Sequence, residues 1–111
     1  MDGDWEQACQ RIRTVLDGYT GRLGFHGPWV DLNIAATEQF MIDLVRARMQ
    51  RGLDIAAALD ATHMVIHSPF HFLGSPNTPI NVQEIIDRTL HTLTPVVQRA
   101  EQVGCILVIE N

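Results

Sequence analysis

Apolar residues recur along this chain with two different periods, and together the periods predict an alternation of helices and strands. Near the N-terminus they return every three or four positions, which is typical of a helix with one buried face. These residues are Trp5, Ala8, Cys9, Ile12, Val15, Leu16 and Tyr19. Gly18 and Gly21 mark the end of this first helix, and a short apolar run from Leu23 to His26 predicts the first strand.

A second helix and strand follow. The helical pattern covers Thr37 to Leu59, and Thr37 is expected to be its N-cap. The apolar run from Met64 to His67 predicts the second strand. The connection from Ser68 to Asn81 is long and rich in proline, as substrate-binding loops often are.

The third helix has clear signals at both ends. Asn81 is the expected N-cap, with Glu84 three residues later as in a capping box. Gly104 is expected to end the helix in a left-handed conformation. Between them, Pro95 is expected to kink or split the helix. The last strand is predicted from Cys105 to Ile109, and Glu110 and Asn111 follow it.

This order predicts an α/β fold in which three parallel strands are joined by right-handed crossovers. Residues two positions before each strand tip share its face, and they are Gly24, Val65 and Val108. The opposite face carries the larger apolar residues and suits packing under helices. The tip-bearing face suits the interior of a barrel.

The length sets a limit on this architecture. An eight-unit barrel needs about 200 residues or more, and three βα units do not close one. We therefore expect residues 1–111 to be a fragment of a larger (β/α)8 barrel, without an internal domain boundary. A three-stranded parallel sheet exposes its edges, so the chain alone is expected to be marginally stable or to self-associate into homo-oligomers.

Composition narrows the function classes. The formal net charge is −5, which argues against a nucleic-acid partner because binding phosphates needs clustered basic residues. Arg46, Arg48 and Arg51 are expected to form a solvated helix face. Membrane-length apolar stretches and signal-peptide features are absent, which predicts a cytoplasmic protein. Cys9 and Cys105 are expected to be reduced core residues.

A repeated motif carries the candidate chemistry. The sequence His26-Gly27-Pro28-Trp29 has a counterpart in His67-Ser68-Pro69-Phe70. In each copy the proline stops ladder pairing and turns the chain over the strand tip. Each histidine taken alone is better explained by a bond to a backbone carbonyl, and Trp29 and Phe70 are equally well explained by loop packing. The repetition favours a shared site with aromatic walls at the carboxyl edge of the sheet.

Glu110 adds a carboxylate at the tip of the third strand. It follows five apolar residues, and burying it there is costly without a cation or hydrogen-bond donors. Solvent exposure at the end of the chain is the alternative. Together, His26, His67 and Glu110 are ligands that suit zinc or a manganese-like divalent ion.

These motifs, with Ala100-Glu101 before Gly104 and a strand ending in Glu110-Asn111, resemble the xylose isomerase-like TIM barrel superfamily. Its sugar phosphate isomerases and epimerases are the most similar members. That resemblance implies that Glu110 binds a divalent metal (Mn, Mg, Co or Zn) and acts in proton transfer. It implies that His26 and His67 line the sugar site and orient the substrate. Trp29 and Phe70, from the repeated motif, are expected to bind the substrate as walls of that site.

The same superfamily contains the family-2 AP endonucleases, in which residues at the positions of His26, His67 and Glu110 are all zinc ligands. We therefore expect a metal-dependent sugar or sugar-phosphate isomerase or epimerase. The alternatives are a zinc-dependent nuclease and a non-catalytic, truncated barrel. The family's other ligands come from later strands, so the metal site in this chain is expected to be incomplete and the chain alone inactive.

Overall fold

A computed structural model describes residues 3–72 and 79–111. The helices are α1 (Trp5–Val15), α2 (Gln39–Leu59) and α3 (Val82–Val103). The strands are β1 (Gly24–His26), β2 (His63–His67) and β3 (Ile106–Glu110), and they form one parallel sheet in the order β1-β2-β3. A short 3-10 helix, Pro69–Phe72, follows β2. The rest of the predicted loop includes residues 73–78, which lie outside the described residues.

The two faces of the sheet differ as strand parity predicts. Met64 and Ile66 point toward the helices and are fully buried. They pack in a core with α2 and α3 residues, which include Val45, Met49, Leu53, Ala56, Leu93, Val96 and Ala100. On the face that carries the strand tips, Ile106 and Val108 remain exposed. The hydrophobic core therefore lies between the sheet and its helices, and the other face is open.

The helix ends follow the predicted signals in part. The Asn81 side chain accepts a hydrogen bond from the Glu84 N–H and caps α3, and Gly104 ends that helix at a φ of 69°. The prediction of Thr37 as the N-cap of α2 is wrong, because Glu38 occupies that position and makes no side-chain capping bond. Helix α1 ends at Val15, before Tyr19.

Pro95 does not split α3, which runs unbroken from Val82 to Val103. Proline lacks the N–H that would bond to the carbonyl four residues earlier, here that of His91. Arg46 of α2 supplies replacement donors. Its Nη2 donates to the His91 carbonyl at 2.6 Å and its Nε to the Thr92 carbonyl at 3.1 Å. The neighbouring helix thus satisfies the backbone at the proline.

The prediction that three arginines of α2 form one solvated face is also wrong, because all three are half-buried and lie in different surroundings. Arg46 bonds to α3, as above. Arg51 lies over the ring of Trp5 on α1, at 5.2 Å from its centroid. Arg48 lines a groove described below.

Two further findings concern the chain as a whole. The cysteines Cys9 and Cys105 are free and buried, and burial raises the pKa of the Cys105 thiol. A high pKa keeps a thiol protonated and unreactive, in line with a core role. No described helix has the length and apolarity needed to cross a bilayer.

Candidate metal centre

The three residues predicted at the strand tips meet at one edge of the sheet. His67 and Glu110 are register partners on β2 and β3. His26 pairs with Val65, so it lies two residues before the level of His67 along the strand direction. Even so, His26 Nε2 lies 3.5 Å and His67 Nε2 lies 4.0 Å from the same carboxylate oxygen, Oε2 of Glu110.

The repeated motif explains why both tips are well positioned. In each copy, the residue after the histidine donates its N–H to the neighbouring strand. Gly27 donates to the Val65 carbonyl at 2.7 Å, and Ser68 donates to the Glu110 carbonyl at 2.8 Å. The proline that follows has no N–H and ends the ladder. The backbone next to each histidine is therefore anchored to the next strand.

The orientation of the His26 ring is set by its own backbone. Its Nδ1 lies 2.8 Å from the Gly27 carbonyl oxygen. A carbonyl only accepts, so Nδ1 carries the proton and donates it. In the neutral ring this leaves the lone pair on Nε2, the atom that faces Glu110. Histidine ligands of metals are commonly fixed in this way.

The donor set fits a divalent cation. One ligand atom from each of His26, His67 and Glu110 lies within 4.8 Å of the others. Two ligands at about 2.1 Å from a tetrahedral ion are roughly 3.4 Å apart, close to the two histidine–carboxylate distances. Glu110 is more than half exposed, so its charge also keeps contact with water.

Aromatic rings support the cluster from one side. The His26 and His67 rings lie edge to face at 4.8 Å between centroids. The Trp29 ring is tilted by 36° to His67 at 5.2 Å, and it lies edge-on to His26 at 6.3 Å. Such separations are favourable for aromatic pairs. Trp29 therefore borders both histidines while half of its own surface stays exposed.

Phe70 occupies the equivalent sequence position but a different setting. It lies in the 3-10 helix, where its N–H bonds to the buried Ser68 hydroxyl at 3.2 Å. Among the described residues, the ring contacts of the site involve Trp29 and the histidines, not Phe70. A substrate-binding role for Phe70 stays a prediction.

A groove adjoins the cluster and was not foreseen from the sequence. Its volume is about 410 Å³, and His26, Trp29, Leu32 and Arg48 are among its lining residues. The sequence signal that could have indicated this groove is Gly52, a glycine within the apolar pattern of α2, one helical turn after Arg48. A glycine at such a position often marks a close approach of another segment.

Two other polar residues of this region have structural roles. Asn33 accepts a hydrogen bond from the Ala35 N–H at 2.9 Å, and Asp31 adopts a left-handed φ of 56°. Both are the turn chemistry expected of Asn and Asp. His63 shares the tip-bearing face of β2, and its ring covers Gly24, where an added Cβ would meet Nε2 at 2.0 Å.

Comparison with known proteins agrees with this geometry. Residues 2–111 match the family described as Xylose isomerase-like TIM barrel. A D-tagatose 3-epimerase-like protein is 26% identical, with a TM-score of 0.78 over 95% of this chain and 38% of its own. The TTHB071 protein from Thermus thermophilus, in a structure obtained by soaking with ZnCl2, is 28% identical, with a TM-score of 0.79.

That second match covers 100% of this chain and 44% of the TTHB071 protein, so the chain spans less than half of either solved structure. No curated protein matches the chain. The parallel βα units, the residues at the strand tips and the match over almost every residue agree with one another. The chain belongs to the xylose isomerase-like TIM barrel family.

Proposed function

We propose that this chain carries half of the active site of a metal-dependent sugar or sugar-phosphate isomerase or epimerase. The observation that carries the proposal is the convergence of His26 Nε2 and His67 Nε2 on one oxygen of Glu110. The D-tagatose 3-epimerase-like neighbour supports this reaction class. The small-molecule partner would be a sugar with a carbonyl group next to a hydroxyl-bearing carbon.

Glu110, with His67 and His26, would hold the divalent metal, and the zinc-soaked neighbour supports this choice of cofactor. A metal bound there polarises adjacent carbonyl and hydroxyl oxygens of a substrate. The candidate ions are Mn, Mg, Co and Zn. His26 Nδ1 donates a hydrogen bond to the Gly27 carbonyl. In the neutral ring Nε2 then carries the lone pair, so it would bind the metal without a change in ring orientation.

Glu110 would also move the proton. Its Oε2 faces the histidines, and the second oxygen, Oε1, would accept the proton from the carbon next to the carbonyl. Returning that proton to the neighbouring carbon, with a proton exchanged between the two substrate oxygens, would complete an isomerisation. An epimerisation would need a second acid, from the later strands of the barrel, to protonate the same carbon on its opposite face while Glu110 keeps the proton that it removed. His26 and His67 would orient the substrate oxygens, and Trp29 would exclude water from one side.

We further propose that residues 1–111 are one part of a complete barrel. The exposure of Ile106 and Val108 on the inner face supports this, because further strands would cover that face. The lengths of the solved neighbours agree. Ligands from those strands would complete the metal shell.

Incorporation of solvent deuterium tests the reaction class. We expect the full-length protein with one of the candidate metals to exchange the proton next to the carbonyl of a ketose. Glu110→Gln should slow exchange by about 10²–10⁴-fold, the usual contribution of a general acid–base group. His67→Ala should also be impaired, whereas the matched variant His91→Ala, on an exposed helix position, should exchange normally. Absence of exchange with every metal across a broad sugar panel contradicts the proposal.

A second candidate is a nuclease that resembles the AP endonucleases. The shared contact of both histidines with Glu110 favours it, because the resemblance implies that all three residues are zinc ligands in those enzymes. The formal net charge of −5 disfavours it. Nicking of an abasic duplex by the full-length protein, abolished in His67→Ala and retained in His91→Ala, would establish the nuclease instead.

A further inference from the structure

The groove beside the metal centre lies between α2 and the segment that follows β1. His26 lines the groove and also belongs to the cluster. A ligand bound in the groove would therefore lie next to the proposed reaction centre. Trp29 and Leu32 give it an apolar wall. A volume of about 410 Å³ falls in the range of small-molecule sites.

Gly52 explains why Arg48 reaches this groove. A Cβ at Gly52 would lie 2.8 Å from Met64 Sδ and 3.4 Å from Pro28 Cδ, so the missing side chain lets α2 approach the motif after β1 closely. Arg48 lies one turn earlier on the same side of the helix. The close approach is consistent with Arg48 lining the groove together with His26 and Trp29.

Arg48 brings a positive charge to the groove, and the Glu110 carboxylate lies 3.5 Å from His26, which also lines the groove. Arg48 is its one lining residue with a permanent charge, and none of the residues that the structure places along it is acidic. A guanidinium is well suited to phosphate, because its planar N–H groups bind two oxygens at once. Arg48 also takes part in another interaction, and its guanidinium has five N–H donors, of which a bidentate phosphate contact uses two.

We propose that the groove binds the phosphate group of a phosphorylated sugar through Arg48, with the carbonyl end of that sugar directed to Glu110. This inference rests on the proposed isomerase or epimerase function and specifies its substrate class. The phosphate is remote from the reacting carbon, and its binding energy would position that carbon over the carboxylate. We favour a small sugar phosphate over a polynucleotide because Arg48 is a single cation on an acidic chain.

Paired substrates in the full-length protein test the assignment, with D-fructose 6-phosphate and D-fructose as probes. Arg48→Gln should raise KM for exchange of the phosphorylated sugar by about 10–100-fold, equivalent to the discrimination of a good bidentate contact. Its kcat for that sugar should fall as well, because the phosphate contact positions the reacting carbon, whereas both constants for D-fructose should change little. Arg48→Lys should recover part of the loss. Arg11→Gln removes the same charge from an exposed position of α1 and should behave as the native protein.

Direct binding separates failure of this inference from failure of the proposed function. If exchange occurs and Arg48→Gln treats both sugars as the native protein does, the groove assignment is overturned and the reaction class stands. If no sugar exchanges, the reaction class fails, and calorimetric titration decides on the groove. Tighter binding of D-fructose 6-phosphate than of D-fructose, lost in Arg48→Gln, supports it, and equal binding overturns it. Arg48-dependent binding of an abasic oligonucleotide without binding of D-fructose 6-phosphate also overturns it.

Discussion

At the scale of single residues, Trp29 connects the cluster of His26, His67 and Glu110 to the groove. One part of its ring borders His67 and His26, and it also lines the groove with Arg48. A ring packed at 5.2 Å restricts the rotation of His67 about its side-chain bonds. Trp29 thus acts on the cluster as a positioning residue, in addition to its predicted place in the substrate wall.

We expect Trp29→Ala to weaken Co²⁺ binding by the full-length protein by about 10–100-fold, the usual cost of losing a residue that orients metal ligands. Trp29→Phe keeps an aromatic neighbour and should retain most of the affinity. The measurement is a titration of the Co²⁺ absorption bands. Trp5→Ala, which removes the tryptophan under Arg51 on another face, is the matched control. Equal affinities for Trp29→Ala and the native protein would show that Trp29 does not orient the ligands.

The sequence predicted the three residues of the cluster because parallel strands end at the same edge. It did not predict the stagger that places His26 beside Val65 instead of beside His67. Nor could it predict which atom of His26 is protonated, since that depends on the 2.8 Å contact with the Gly27 carbonyl. Nor did the repeated motif predict that the chain takes a different path after each proline, so that Trp29 lies beside the histidines and Phe70 lies in the 3-10 helix.

At the scale of elements, α2 and α3 stabilise each other through polar contacts as well as apolar packing. Arg46 bonds to two carbonyls near Pro95, and Arg99 bonds to Asp54 at 3.1 Å. Local sequence signals foresaw an interruption at Pro95 because they do not include donors from another helix. Thr37 is a good N-cap by residue type, yet α2 has Glu38 at that position without a side-chain capping bond, and nothing in the structure explains the difference.

The Arg46–Pro95 relation makes a quantitative prediction. Arg46→Met keeps the apolar stem of the side chain but removes its donors, and we expect it to lower the free energy of unfolding by about 1–3 kcal/mol. In the Pro95→Ala variant, Arg46→Met should lower the free energy of unfolding by less, because alanine at that position would supply an N–H for the His91 carbonyl. Urea denaturation of the four proteins of this double-mutant cycle measures the coupling. A cost that is the same in both backgrounds would contradict the compensation.

At the scale of the whole molecule, the sheet has one covered face and one open face. Ile106 is 60% exposed and Val108 is 40% exposed, both on the face that carries Glu110. Alternation within the strands predicted which residues lie on each face. The extent of exposure could not be predicted, because it depends on whether other strands cover that face. Adjacent exposed apolar residues on a sheet with open edges favour association.

We therefore expect the 111-residue chain to self-associate, and the double variant Ile106→Thr, Val108→Thr to do so less. Threonine preserves the β-branched shape while adding a hydroxyl that water can solvate. Light scattering after size-exclusion chromatography measures the change. Val15→Thr, at an 85% exposed position of α1, is the control and should leave association unaltered. Association that persists in the double variant would locate the contact elsewhere.

Gly52 has a consequence for how this scaffold could acquire new substrates. It lies against Met64 of β2 and Pro28 after β1, and it is not among the described residues that line the groove. A side chain at this position would first displace the Met64 side chain and, if larger, would press on Pro28, which does line the groove. Directed evolution toward bulkier substrates should therefore select changes at Gly52 and Met64 before changes in the cluster itself.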